Sequence, residues 1–223
     1  DGKINLWTSQ GRYVRTIDGH EQPITSVAFH PNSEIFATAS TDRTVKLWSR
    51  EGELIRTLGS GNQGHNGGVY DVNFTKDGDF LVSASADNTV KIWRSSGELV
   101  RTLTGHQHFV NDVAIDPHSH AIASASLDGT VKIWNREGKL LQTLTGHQDW
   151  VLGVSFSPDG RWLVSGSRDS TAKIWQWNPQ KNLMQMIPAH GGSAEAVAFH
   201  PDGKTWASAG DNGKIKLWNS QGE

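Results

Sequence analysis

Residue types that could act together in catalysis recur along this chain at fixed distances from a Trp. A His lies 28 residues before each of five Trp residues, a Ser or Thr lies ten residues before it, and in four units an Asp lies six residues before it. Ser, His and Asp are the side chains of nucleophilic catalysis, in which an oriented His activates a hydroxyl. A catalytic triad occurs once in a molecule, whereas this set recurs and always ends on Trp, so its repetition indicates a structural role. The members are His20, Thr38, Asp42 and Trp48; His65, Ser83, Asp87 and Trp93; His106, Ser124, Asp128 and Trp134; His147, Ser165, Asp169 and Trp175; and His190, Ser208 and Trp218, where Asn212 replaces the acid.

Two further groupings could bind a metal or a phosphate, and neither has the rest of its site. His106 and His108 lie close together, as do His118 and His120, but no Cys and no set of carboxylates accompanies them. The loop at 59–61 lacks the Gly-Lys-Ser/Thr sequence and the helix that a phosphate-binding loop requires. The sequence therefore predicts no catalytic residue, no metal and no cofactor.

Charge and composition limit the class of partner. The 223 residues carry a net charge of −2, so no global field points to nucleic acid or to an acidic membrane surface. The chain has no Cys, which is compatible with a reducing compartment, and we expect a cytoplasmic location. It has no apolar run of membrane-spanning length. It begins at Asp1-Gly2-Lys3-Ile4, without an initiator Met or a signal segment, which favours a fragment of a longer chain.

The Trp residues mark a repeat that covers the whole chain. Six of them, Trp7, Trp48, Trp93, Trp134, Trp175 and Trp218, are separated by 41 to 45 residues. The segment from His to Trp is constant, and the insertions fall in the connectors at 59–62 and 178–180. Constant segments joined by variable connectors are typical of stacked supersecondary units.

Each unit has the pattern of four short strands. The fourth complete unit predicts strands at 151–156, 162–167 and 172–175, separated by turns at Pro158-Asp159-Gly160 and Asp169-Ser170-Thr171. The fourth strand is clearest at 140–144, after the turn at Glu137-Gly138. Helical periodicity does not persist, so an all-β fold is expected.

Four strands per unit, with Gly-His near the start and Trp near the end, resemble the WD-repeat family of β-propellers. Gly19-His20, Gly64-His65, Gly105-His106 and Gly146-His147 match its Gly-His element, whereas Ala189-His190 keeps only the His. The Asp that follows Trp in the family is absent throughout. Phrases such as Phe156-Ser157-Pro158-Asp159-Gly160 are similar to bacterial multi-repeat members. The resemblance implies one propeller region over 1–223, with a partial blade at 1–19, complete blades at 20–59, 60–104, 105–145 and 146–188, and a partial blade at 189–223.

The resemblance also assigns roles to residues. It implies that the Trp indole donates to the hydroxyl, that the hydroxyl contacts the His, and that the His contacts the Asp, which would satisfy buried polar groups. It places the partner-binding rim three and five residues after each His and directly before each turn Asp. The rim residues that we select are Tyr70, Phe109, Asn111, Leu127, Trp150, Leu152 and Arg168, with Glu195 and Asp211 as an acidic margin. The alternative is that Phe109 and Trp150 turn inward and pack between blades.

The terminal segments predict an incomplete ring. Strands are expected at Lys3–Trp7 and Tyr13–Ile17, and residues 1–11 repeat the sequence of 211–222. Tyr13–Ile17 could close a five-bladed ring by pairing with Lys214–Trp218, but residues 1–7 would then be left over. An arc of a larger propeller, seven blades being usual in the family, is the simpler interpretation.

The predicted function is a non-catalytic scaffold that binds a protein or peptide partner, as the repeat module of a larger intracellular regulatory or signalling protein. One alternative is an enzyme with a site in the central channel, for which only Asp71 and Asp112 offer unusual side chains. The other is a lectin-like module that reads carbohydrate or peptide with the aromatic rim.

Overall fold

The computed structural model describes residues 1–59, 62–118, 120–177, 183–219 and 221–223, and the regular elements in these ranges are β-strands. Parts of the loops predicted at 59–62 and 178–180 lie outside the described residues, as does the start of the segment 60–104. Within the described residues, twenty-one strands form six antiparallel sheets. None of the described residues forms a helix long and apolar enough to cross a membrane.

Four of the sheets are complete blades in which consecutive strands pair in chain order. Blade 1 contains β3 (Ile24–Phe29), β4 (Ile35–Ser40), β5 (Val45–Ser49) and β6 (Leu54–Leu58). Blade 2 contains β7 (Val69–Phe74), β8 (Phe80–Ser85), β9 (Val90–Arg94) and β10 (Leu99–Leu103). Blade 3 contains β11 (Val110–Ile115), β12 (Ala121–Ser126), β13 (Val131–Asn135) and β14 (Leu140–Leu144), and blade 4 contains β15 (Val151–Phe156), β16 (Trp162–Ser167), β17 (Thr171–Gln176) and β18 (Leu183–Pro188).

Two smaller sheets lie at the ends of the chain. The N-terminal hairpin pairs β1 (Lys3–Trp7) with β2 (Tyr13–Asp18). The C-terminal sheet has three strands, β19 (Ala194–Phe199), β20 (Thr205–Gly210) and β21 (Ile215–Asn219). The chain therefore forms four complete blades between two partial ones, as the repeat pattern predicts.

Neighbouring sheets pack face to face through one repeating set of apolar contacts. Between blades 2 and 3, Val90 and Ile92 pack in the same buried cluster as Val110, Val113 and Trp134. The second strand of each complete blade is almost entirely buried and contains two or more residues as small as Ala, Ser or Gly, because small side chains allow the flanking blades to approach closely. The first strands, β3, β7, β11, β15 and β19, surround a central cavity of about 240 Å³.

The ring is open. β2 pairs with β1 and not with β21, so the strand exchange that would close five blades does not occur. Among the described residues, no strand pairing and no buried apolar cluster joins the C-terminal sheet to blade 1 or to the N-terminal hairpin. Pairing of β1 with β2 needs only the short connection at 8–12, whereas closure through β21 would have to bring together segments some 200 residues apart in sequence.

Candidate functional site

The recurring His, hydroxyl, Asp and Trp form a buried hydrogen-bonded chain in each complete blade. In blade 3 the Trp134 indole donates to Ser124 Oγ at 2.9 Å, and Ser124 Oγ lies 2.8 Å from His106 Nε2. His106 Nδ1 lies 2.7 Å from Asp128 Oδ2. The same three contacts measure 2.6–2.9 Å in blades 1, 2 and 4. This chain ties the connector before the first strand to the second and third strands.

The protonation states of the His and Asp side chains in this hydrogen-bonded chain follow from their burial and their hydrogen bonds. Burial lowers the pKa of the imidazoles of His65 and His147, so both are neutral at pH 7. Burial alone would raise the pKa of Asp169, but hydrogen bonds from Thr171, the Gln148 amide and His147 outweigh it and lower the pKa to about 2. The neutral ring therefore donates from Nδ1 to the carboxylate and accepts the hydroxyl proton at Nε2.

These hydroxyls cannot reach a substrate. Ser83, Ser124 and Ser165 have 0% exposed surface, and each also accepts the hydrogen bond of a Trp indole. A nucleophile must be able to approach the reacting atom of its substrate. The geometry is that of a structural brace within the blade.

The sequence analysis missed two further members of this brace, a Ser eight residues and a Thr four residues before the Trp. In blade 3, Ser126 Oγ donates to the His108 carbonyl and accepts from the Asp128 amide. Thr130 Oγ1 donates to Asp128 Oδ1 at 2.7 Å. Both residues recur in blades 1, 2 and 4, so the signal was present in the repeat itself.

The C-terminal sheet keeps only part of the buried hydrogen-bonded chain. Trp218 donates to Ser208 Oγ at 2.9 Å, and His190 Nε2 lies 2.8 Å from the same oxygen. His190 Nδ1 is buried without a hydrogen-bond partner among the described residues. Asn212 stands in place of the Asp, and the Ser and Thr are replaced by Gly210 and Lys214. An orphaned buried polar group costs about 1–3 kcal/mol, so we expect this unit to be the least stable of the five.

The rim residues project from a bulge that recurs in every first strand. The pairing of each first strand with its second strand skips one residue, for example between Val110 and Asp112. A β-bulge redirects the side chain of the extra residue. The skipped residues are Thr25, Tyr70, Asn111, Leu152 and Glu195, which are the positions predicted five residues after each His. They line the 240 Å³ cavity at the mouth of the channel.

The other two rim positions of each blade are held together by the backbone. The Leu127 amide donates to the Phe109 carbonyl and the Arg168 amide donates to the Trp150 carbonyl, both at 2.9 Å. The Arg168 guanidinium lies 4.4 Å from the Trp150 ring centroid, a cation–π contact. In the acidic margin, the Asp211 amide donates to the Ser193 carbonyl at 3.2 Å.

The rim side chains from blades 2, 3 and 4 form a contiguous surface, which we name the rim patch: Tyr70, Phe109, Asn111, Leu127, Trp150, Leu152 and Arg168. The rings of Tyr70 and Phe109 are 6.3 Å apart, and Asn111 Nδ2 donates to the Leu152 carbonyl at 2.6 Å. Leu127 and Trp150 line one depression of about 270 Å³. Phe109 and Trp150 are 37% and 39% exposed, so they lie at the surface and do not pack between blades.

The two channel carboxyls that the sequence singled out link blades. Asp71 accepts from Ser26 Oγ at 2.7 Å and from the Val113 amide at 3.2 Å. Asp112 accepts from the Val154 amide at 2.7 Å. Burial, the Asp71 charge and a hydrogen bond to Asp71 raise the pKa of Asp112 well above its usual range. Asp112 is therefore protonated at acidic pH and shares that proton with Asp71, in a chain of contacts from blade 1 to blade 4.

The two His pairs make other contacts among the described residues. His108 Nδ1 accepts from the Phe109 amide at 2.8 Å, and His106 belongs to the buried chain. The rings of His118 and His120 are 6.2 Å apart. Within the described ranges, no three His, Asp or Glu side chains are grouped so that they could hold a metal ion.

Comparison with known families agrees with this architecture. The pattern described as "WD domain, G-beta repeat" matches residues 11–49, 52–94, 97–135, 138–176 and 181–219. The chain belongs to the WD-repeat family. Each WD repeat begins before the fourth strand of one blade and ends with the third strand of the next, so every complete blade is built from two repeats. Adjacent blades are thereby linked covalently as well as by packing.

Curated relatives match short parts of this WD-repeat chain. Nuclear distribution protein nudF 2 of Talaromyces marneffei is 37% identical over 60 residues, 26% of this chain and 13% of the relative. Nuclear distribution protein nudF of Aspergillus terreus is 37% identical over 67 residues, 29% and 15% of the two chains. Nuclear distribution protein PAC1 of Coprinopsis cinerea is 47% identical over 53 residues, 23% and 12%. These relatives are fungal, so they do not support the expected similarity to bacterial members.

Proposed function

We propose that this WD-repeat scaffold binds a protein or peptide partner at the mouth of its channel, through the rim patch. The proposal rests on one observation, which is that the buried positions keep the same residue types in every unit whereas the rim positions do not. The buried His, hydroxyl and Trp repeat from unit to unit, whereas the side chains on the bulges and beside the turn Asp differ in every unit. Side chains that the fold does not dictate, and that are wholly or partly accessible on a rigid frame, are available for recognition.

The composition of the rim patch suits protein recognition. It presents the aromatic rings of Tyr70, Phe109 and Trp150 together with the guanidinium of Arg168, and these residue types dominate interface energetics. Glu195 and Asp211 are exposed and give the rim an acidic margin. The rim patch and the acidic margin together therefore favour a partner segment with an apolar centre and a basic flank beside the margin.

Catalysis has no comparable support. The hydroxyls beside His are buried, and the channel carboxyls accept hydrogen bonds from the neighbouring blades. We therefore propose a non-enzymatic scaffold without a cofactor or nucleic-acid partner, acting in the cytoplasm within a larger regulatory or signalling protein. The matches to nuclear distribution proteins span about one and a half repeats. Matches of this length support the WD-repeat architecture but do not indicate which partner this chain binds.

The test is affinity capture with a rim variant, Phe109→Ala with Trp150→Ala. Each anchor residue is worth about 2 kcal/mol, so specific partners should be depleted more than tenfold. The matched control is Leu140→Ala with Leu141→Ala, two residues of comparable exposure on the outer strand β14. Partners captured equally by the rim variant and the parent chain would refute the rim patch as the binding site.

A further inference from the structure

The position that follows the bulge in each first strand faces the channel, and it carries an acid in two neighbouring blades. The residues at this position are Ser26, Asp71, Asp112, Gly153 and Ala196, and all five line the cavity at the channel mouth. Asp71 and Asp112 also line a second depression of about 360 Å³, which extends along the first strands toward Asn73 and Phe156. The two carboxyl groups therefore lie between the mouth of the channel and its other end.

Asp71 receives three hydrogen bonds that stabilise its ionised form. Its carboxylate accepts from Ser26 Oγ at 2.7 Å and from Asn73 Nδ2 at 2.8 Å. The Val113 amide of the next blade donates to it at 3.2 Å. Hydrogen bonds to the charged form of a carboxyl group favour that form, so Asp71 is the member of the pair that carries the negative charge.

Asp112 has fewer donors of its own and lies against the Asp71 carboxylate. It accepts from the Val154 amide at 2.7 Å, and it shares the Val113 amide with Asp71. Two carboxyl groups that converge on one donor cannot both ionise without strong repulsion. Burial, the charge of Asp71 and the hydrogen bond to it raise the pKa of Asp112, so Asp112 holds the proton and donates a hydrogen bond to Asp71.

Few other ionisable groups face this pair. Strand β7 contributes Tyr70 and Asp71 itself, whereas β8, β12 and β15, which also pack on β11, contain no ionisable residue. Among the described residues that line the two depressions, Tyr70 and Glu195 are the other ionisable side chains, and both lie at the mouth. The charge at this point of the channel therefore changes chiefly with the proton of Asp112.

Asp112 is directly connected to the rim patch on both of its sides. On its own strand, Asn111 occupies the bulge immediately before it and donates from Nδ2 to the Leu152 carbonyl at 2.6 Å. On the next strand, the Val154 amide that Asp112 holds lies two residues after Leu152. Asp112 and Asn111 therefore fix the bulge at Leu152, and the position of that bulge sets the relation of blade 3 to blade 4 at the rim.

We propose that the proton shared by Asp112 and Asp71 holds the rim patch in its binding shape, so that partner binding weakens as this proton is lost. Ionisation of Asp112 places two negative charges in contact, and their repulsion separates blades 2 and 3 at the channel mouth. Asn111 and Leu152 move with the displaced carboxylate, which opens the rim patch. The binding consequence rests on the function proposed above, whereas the movement of the rim does not depend on any partner.

Nuclear magnetic resonance of the chain without a partner tests the movement from about pH 5 to about pH 9. The carboxyl carbon of Asp112 reports its ionisation, and the side-chain amide of Asn111 and the backbone amide of Leu152 report the rim. The rim signals should titrate with the same midpoint as the Asp112 carboxyl. Rim signals that stay constant while Asp112 ionises, or an Asp112 whose ionisation does not change over this range, would overturn the proposal.

Three substitutions assign the titration to the carboxyl pair. Asp112→Asn keeps the shape and the hydrogen-bonding groups of the acid, so the rim signals should stay close to those of the parent at low pH and lose their midpoint. Asp71→Asn removes the neighbouring charge, so the midpoint should move to lower pH. Glu195→Gln is the matched control, because it removes a carboxylate at the mouth and should shift the midpoint less. A midpoint that moves with Glu195→Gln and not with Asp71→Asn would overturn the shared proton.

Affinity capture at about pH 5 and about pH 8 tests the effect on binding. Partners that the parent chain retains and that Phe109→Ala with Trp150→Ala loses should be released as pH rises. Their affinity should fall by up to about tenfold per pH unit above the pKa of Asp112, which is the limit for one linked proton. Asp112→Asn should retain them at both pH values. Rim-dependent partners that the parent retains equally at both pH values would overturn the proposal, whereas equal capture by the rim variant would instead refute the proposed binding site.

Discussion

His190 differs from the other buried His residues at one atom, its Nδ1, which has no partner among the described residues. In the complete blades that atom faces an Asp carboxylate. Asn212 occupies the same turn position, and its Oδ1 accepts from the Lys214 amide as Asp42 Oδ1 accepts from the Thr44 amide. Asn212→Asp should therefore give His190 its missing acceptor and raise the free energy of unfolding by about 1–2 kcal/mol. Urea unfolding measures the gain, and Asn62→Asp, an exposed turn residue, controls for added charge. An equal gain in both variants would contradict the expected hydrogen bond.

Acid should lower the free energy of unfolding, because it protonates the buried His residues of the complete blades. Because the pKa values of His65 and His147 are lower in the folded protein than the unfolded value near 6.5, their contribution is fully present above that pH and is lost as pH falls. Asp169, with a folded pKa of about 2, adds a further loss at more acidic pH. The free energy of unfolding should fall between about pH 7 and about pH 5, and His147→Asn should flatten that slope. His200→Gln, at an exposed His, should leave the slope unchanged.

At the scale of elements, the contacts between blades at the channel depend on the proton of Asp112. Its folded pKa is raised, so its contribution to stability is fully present below the unfolded pKa and is lost as pH rises through the folded pKa. Asp112→Asn keeps an acceptor for the Val154 amide and a permanent donor for Asp71. The variant should match the parent near about pH 4 and exceed it by roughly 1–2 kcal/mol near about pH 7. Urea unfolding at the two pH values measures the difference. The exposed Asp79→Asn is the control, and an equal effect at both pH values would contradict a shared proton.

The strands and the buried chain could be predicted because both depend on spacing within one repeat. Alternating apolar residues and turn residues mark the strands, and the distance from His to Trp is fixed by two hairpins. The bulge that directs Tyr70 and Asn111 toward the channel mouth leaves no such mark, because it depends on how two strands pair. The Arg168–Trp150 contact depends on side-chain rotamers, which spacing does not determine. The sequence could not decide whether β2 pairs with β1 or with β21, because these two strands have nearly the same sequence.

At the scale of the whole molecule, stability should fall from the middle of the arc toward the C-terminal sheet. In stacked repeats each unit is stabilised by its neighbours. Blade 3 is covered on both faces, by blades 2 and 4. Among the described residues, the C-terminal sheet packs on blade 4 alone and has three strands and an incomplete buried hydrogen-bonded chain. Its third strand is also partly exposed, with Ile215 and Leu217 in solvent.

Hydrogen exchange of backbone amides measures this gradient. Local opening of the C-terminal sheet should require less free energy than opening of blade 3, so Ile215–Asn219 should exchange at least about tenfold faster than Val131–Asn135. The measurement belongs at low protein concentration, so that contacts between molecules do not protect β21. Asn212→Asp should slow exchange in the C-terminal sheet and leave blade 3 unchanged. Equal protection of the two strands would show that the arc unfolds as a single cooperative unit despite its uncovered end.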